Sequence, residues 1–84
     1  MKTIKYNNKT IKLPFADADY SDEPLKMETV KNRFSGESIA MPRFAVAIYD
    51  TILGAEQTQN YTLMQKGLNW FSRNFAKQYM TLLD

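Results

Sequence analysis

The sequence predicts an α+β fold: an N-terminal β-hairpin, with a second short hairpin behind it, packed on a C-terminal helical hairpin that ends in a short helix. Three observations carry this. Residues 3–13 alternate apolar and polar side chains around Asn7-Asn8. Residues 42–84 repeat apolar side chains at helical spacing. The stretch between the first hairpin and residue 29 holds two prolines, Pro14 and Pro24, and five acids. A chain of 84 residues makes one domain, with residues 1–41 as its β and loop part and 42–84 as its helical part. Such a chain buries about 60% of its unfolded surface.

In the first hairpin, Thr3-Ile4-Lys5-Tyr6 and Lys9-Thr10-Ile11-Lys12-Leu13 flank two asparagines. Asparagine tolerates the positive φ that a two-residue hairpin turn demands. This register pairs Ile4 with Ile11 and puts Tyr6 and Leu13 on the same face, while Lys5, Thr10 and Lys12 take the other. A lone hairpin is marginal in water, so the apolar face must pack on the helices. Residues 14–28 read as a loop. Thr29-Val30-Lys31 and Ser38-Ile39-Ala40-Met41 read as short strands around Phe34-Ser35-Gly36-Glu37, where the glycine supplies the turn.

Pro42 suits the first turn of a helix, where its missing N–H is no loss. Phe44, Ile48, Ile52 and Ala55 follow at helical spacing, widened by Ala45, Tyr49 and Leu53. Gln57-Thr58-Gln59-Asn60 is a polar break. The next helix is expected from Tyr61 or Thr62, capped by Asn60, with Met64, Leu68, Phe71 and Phe75 as its core stripe. Gly67 interrupts it at a cost of about 1 kcal/mol relative to alanine, a cost that close approach of a neighbouring helix explains. Ser72-Arg73-Asn74 either ends or bends the helix, and Tyr79, Leu82 and Leu83 continue an apolar face. The tetratricopeptide pattern does not fit these offsets.

Composition removes several chemistries. The chain has no cysteine and no histidine. Zinc-finger, haem-thiolate and thiol chemistry therefore have no ligands, and a Ser-His-Asp or Cys-His nucleophile cannot be assembled. Only three glycines are present, and no phosphate-binding glycine loop. The candidate acids and bases Asp50, Glu56 and Tyr49 form no convergent pair, since Asp50 and Glu56 fall on different helix faces. The expectation is a protein that is not an enzyme and needs no cofactor or metal. No apolar run has the length of a signal peptide or of the ~20-residue membrane span. A cytoplasmic location without membrane association is the expectation.

Net charge is only +2, but it is unevenly spread. Residues 1–14 carry four lysines and no acid, whereas residues 15–28 carry Asp17, Asp19, Asp22, Glu23 and Glu28 against Lys26 alone. The acidic patch Asp17, Asp19, Asp22 and Glu23 is one candidate contact surface for a basic partner, or else a solvated loop. Asp17, Asp19, Ser21 and Glu28 also occupy positions 1, 3, 5 and 12 of an EF-hand loop. Asp22 replaces its glycine, Pro24 sits at position 8, and no helix enters it, so a calcium site is not expected.

The second constellation is Lys66, Trp70, Arg73 and Lys77, at i, i+4, i+7 and i+11 of one helix. If that helix continues through Lys77, they share a face nearly opposite the expected core stripe. An exposed tryptophan among cations suits base stacking and phosphate contact, or a protein-binding hot spot. The bland alternative buries Trp70 under the N-terminal hairpin and leaves the cations in water.

The residues Gly54-Ala55-Glu56, Tyr61, Met64-Gln65-Lys66-Gly67-Leu68, Trp70-Phe71 and the ending Tyr79-Met80-Thr81-Leu82-Leu83-Asp84, with Phe34-Ser35-Gly36-Glu37-Ser38 before them, resemble a family of small uncharacterised proteins encoded by marine tailed phages. The resemblance covers about residues 32–84 and not the front of the chain. It implies a phage origin and action in the host cytoplasm, and it brings no catalytic residue. The functional expectation is a small binding or adaptor protein with a host or phage protein as partner, or a homo-oligomer. The alternatives are a nucleic-acid-binding accessory protein and a virion or assembly component.

Overall fold

The computed structural model describes residues 2–16 and 18–83. Two antiparallel hairpins precede three helices: β1 (Thr3–Tyr6), β2 (Lys9–Lys12), β3 (Met27–Lys31), β4 (Ser38–Pro42), α1 (Arg43–Gln57), α2 (Tyr61–Asn74) and α3 (Ala76–Leu82). The fold is α+β, with α1 and α2 forming the helical hairpin. The two hairpins are separate two-stranded sheets.

The β1–β2 register is the one the alternation demands, with Ile4 opposite Ile11 and Tyr6 opposite Lys9. Asn7 (φ 50°) and Asn8 (φ 64°) both take the left-handed conformation of the turn. Ile11 is buried, and Ile4, Tyr6 and Leu13 lie against the core. In the second hairpin Val30 faces Ile39, and Gly36 takes φ 79°.

Pro42 departs from the expectation. It pairs with Met27 as the last residue of β4 and caps α1 from an extended conformation (φ −69°, ψ 152°). A proline has no side chain with which to cap. The first N–H groups of α1 are met by loop carbonyls instead: Arg43 N–H donates to Lys26 O (2.9 Å) and Phe44 N–H to Pro24 O (2.9 Å). The segment before β3 is thus tied to the start of α1. It is also anchored by Tyr20, whose hydroxyl donates to Phe15 O (2.6 Å) and accepts from Phe15 N–H (3.2 Å).

Asn60 caps α2 as expected, its side chain accepting from Leu63 N–H at 3.2 Å. The core stripe of α2 holds at Phe71 and Phe75, both buried, and is corrected at its N-terminal half. Met64 and Leu68 are only partly buried, and the inward face is centred on Gly67, Trp70 and Phe71. Gly67 explains the rotation. A β-carbon there would stand 2.5 Å from Ile52 Cγ1 and 3.1 Å from Phe15 Cζ, so α1 approaches α2 where only a hydrogen fits. Turned this way, α2 sends Trp70 toward the N-terminal hairpin.

Tyr6, Phe44, Trp70, Phe71 and Phe75 meet in one aromatic cluster with ring centroids 5.6–6.3 Å apart, in edge and tilted contacts that suit the ring quadrupoles. The cluster joins hairpin, α1 and α2. Phe75 breaks the helix path (φ −137°, ψ 61°), and α3 packs against β4, where Gln78 Nε2–H donates to Ala40 O (3.2 Å).

Candidate functional site

The constellation on α2 divides. Trp70 is 8% exposed, and its indole N–H donates to Lys12 O at 2.7 Å. The ring is a strut under the first hairpin, so it offers no face on which a base could stack. Lys77 lies beyond the break at Phe75, on α3, and leaves the face of Lys66 and Arg73. Lys66, Arg73 and Lys12 do line one open groove of about 620 Å³ with Asn69 and the Trp70 edge. No acidic side chain lines it, and none of these three cations has a carboxylate within ion-pair distance among the described residues. This end of the molecule can hold an anion only by exposed charge, because its aromatic group is spent on packing.

The acidic patch is also divided. Asp17 lies outside the described residues. Asp19 Oδ1 accepts from Ser21 N–H (3.0 Å), and Ser21 Oγ accepts from Glu23 N–H (3.1 Å), which shapes the loop around Ser21 at φ 77°. Arg43 reaches Glu23 at 3.3 Å and Glu28 at 3.6 Å, and Lys26 reaches Glu23 at 3.8 Å. Part of the patch is therefore neutralised from within, and Asp22 remains exposed. A hollow of about 190 Å³ lies between Asp19, Glu28, Arg43 and Asp50. Burial first, and the Glu28 charge second, push the Asp50 carboxyl above its usual 3.8. No group of three or more His, Cys, Asp or Glu able to hold a metal ion occurs among the described residues. Burial likewise raises the Tyr20 hydroxyl above its usual 10.0, opposed by its bond to the Phe15 backbone, so it stays protonated as a structural donor.

The feature that sequence reasoning missed is Phe34. It is 93% exposed at the tip of the second hairpin. The tip is held by hydrogen bonds. Asn32 Oδ1 accepts from Phe34 N–H (2.8 Å) and Ser35 N–H (3.3 Å), and Asn32 N–H donates to Glu37 O (2.7 Å). Gly36 N–H donates to Asn32 O (3.0 Å), and Ser35 Oγ accepts from Glu37 N–H (3.2 Å). Asn32 Nδ2–H donates to Thr81 O (2.8 Å), which ties the tip to α3 across 49 positions of sequence. Arg33 Cζ lies 5.9 Å from the centre of the Phe34 ring, in reach of a cation–π contact.

At the foot of Phe34 lies a groove of about 700 Å³ floored by Tyr49, Leu53, Leu82 and Leu83, with Arg33 and Glu56 on its walls. Three elements build it: the hairpin tip, the last turns of α1 and the end of α3. The sequence signal for Phe34 was its place. An aromatic between an Asx-turn asparagine and a positive-φ glycine has no strand face on which to be buried. Glu56 and Tyr49, weighed as acid and base, border this groove, while Asp50 borders the separate acidic hollow.

Neither a known protein family, nor a curated protein, nor a solved structure is matched by this chain. No helix among the described residues is long and apolar enough to cross a membrane.

Proposed function

We propose that this chain performs no chemistry of its own and acts as a small binding module that docks on a protein surface through Phe34 and the groove beside it. The observation that carries this is the pairing of 93% exposure with a tip fixed by six hydrogen bonds from Asn32, Ser35 and Gly36. A bare aromatic ring costs solubility, and a rigid display of it removes the ordering cost that binding would otherwise carry. Buried aromatic anchors dominate protein interfaces, with surrounding contacts that exclude water. The groove supplies such a surround in Tyr49, Leu53, Leu82 and Leu83.

The test is in-cell photo-cross-linking with a benzophenone side chain at position 34 in the native host. A discrete protein adduct is expected from position 34, weaker or absent when the same group replaces Tyr61, an exposed aromatic on another face. Equal labelling from both positions would remove the docking role.

A second reading rests on Lys12, Lys66 and Arg73 around their acid-free groove: contact with a nucleic-acid backbone by charge alone. Binding of that kind weakens steeply with salt and carries no base preference. The loss of the Trp70 stacking face, and a groove lined by only three cations, make it the weaker reading. The phage resemblance of residues 32–84 would place either activity in an infected cell. It favours neither.

A further inference from the structure

The docking face carries a knob and a socket side by side. Phe34 projects from the tip and borders a groove of mixed polar and apolar lining, whose apolar part is Tyr49, Leu53, Leu82 and Leu83. The ring does not fill its own groove, because the Asn32 and Ser35 hydrogen bonds hold the tip in a conformation that leaves it in solvent. A two-fold related pair of surfaces satisfies both halves at once, since each knob enters the other socket. This is the requirement of an isologous interface, in which one patch is complementary to itself. A groove of about 700 Å³ is within the range that holds an organic ligand larger than one ring, so a phenylalanine side chain and its flanking backbone fit.

Charge supports the same partner. The groove walls bear one cation, Arg33, and one anion, Glu56. Both are exposed, and neither is in an ion pair among the described residues. The patch is therefore neutral and bipolar, and a two-fold axis placed between the two side chains would set Arg33 of one copy toward Glu56 of the other. A strongly basic or strongly acidic partner surface would leave one of the two facing its own sign.

We infer that the Phe34 face is a homodimer interface: a second copy of this chain inserts its Phe34 between Tyr49, Leu53, Leu82 and Leu83, with Arg33 and Glu56 opposed across the axis. The inference rests on the docking reading above and names its partner.

Sedimentation equilibrium of the full chain at low salt tests it. The wild-type chain is expected to populate a dimer. Phe34→Ala is expected to raise the dimer dissociation constant by at least about tenfold, while its far-ultraviolet circular dichroism and monomer melting stay unchanged because the ring touches no core. Arg33→Glu and Glu56→Arg are each expected to weaken the dimer, and the double variant Arg33→Glu/Glu56→Arg to recover it. A wild-type chain that stays monomeric to millimolar concentration overturns the inference, and so does a double variant no better than the singles. The docking reading fails separately. If the wild-type chain is monomeric yet position 34 cross-links to a different protein, the homodimer is wrong and docking stands. Absence of both sinks the two together.

Discussion

Gly67 and Asp50 show how much single side chains, or the lack of one, decide here. At Gly67, alanine would gain about 1 kcal/mol of helix propensity. Its β-carbon would meet Ile52 Cγ1 at 2.5 Å and Phe15 Cζ at 3.1 Å, and overpacking of this kind costs about 1–3 kcal/mol. Packing wins, so Gly67→Ala is expected to lower stability by about 1 kcal/mol, read as a lower urea midpoint. A higher midpoint would mean that the α1–α2 contact has slack. At Asp50 the folded carboxyl sits above 3.8, raised by burial and then by Glu28. The folded state therefore binds this proton more readily than the unfolded chain does. Its favourable contribution is complete below pH 3.8 and is lost as pH rises through the folded value. Asp50→Asn is thus expected to stabilise the protein at pH 7, with the gain vanishing below about pH 3.8. Asp50 is exposed at the level of the whole residue, so water screens much of the effect. Parallel melts of the two proteins across pH check the sign.

Between elements, the decisive link is Trp70 to the first hairpin. Two strands cannot hold themselves in water, and β1–β2 is held by Tyr6 in the aromatic cluster and by the Trp70 bond to Lys12 O. Trp70→Phe removes a hydrogen bond worth about 1 kcal/mol and some packing. It is expected to speed hydrogen exchange of the 3–12 amides more than those of α1, and unchanged hairpin exchange would place the support elsewhere. This link also shows what the sequence could disclose. The hairpin was legible because alternation and two asparagines are local signals, and the cap at Asn60 for the same reason. The inward face of α2 was not, because periodicity gives a stripe without its rotation. Gly67 sets that rotation through a contact with Ile52 that no pattern along α2 contains. Lys77 shared the face only if α2 ran through it, and the sequence left open whether Ser72-Arg73-Asn74 ended the helix: a single non-helical residue, Phe75, ends α2 when its ring is drawn into the core. Pro42 read as the start of a helix by its own preference, while pairing with Met27 made it the end of a strand. The Phe34 tip depended on Asn32 reaching Thr81, 49 residues away.

At the scale of the molecule, the core and the exposed Phe34 face separate. The aromatic cluster and the α1–α2 contact consume Trp70, Phe71, Phe75 and Tyr6, which the composition alone offers equally as binding groups. Once they are placed inside, the most exposed aromatic among the described residues is Phe34 (93%), on the second hairpin, ahead of Tyr61 (60%) at the start of α2. Charge is distributed in the same spirit. Arg43 quiets the acidic loop, Lys12, Lys66 and Arg73 stay open to solvent, and the Phe34 face keeps one charge of each sign. The central claim is that this face is kept for contact between two copies of the chain. Thermal melting as a function of protein concentration tests it most directly, because a folded dimer gains stability by mass action and a monomer does not. Over a hundredfold range of concentration (a span on the order of what mass action needs to show), the wild-type melting temperature is expected to rise, and that of Phe34→Ala to rise less. A wild-type melting temperature independent of concentration would contradict the account.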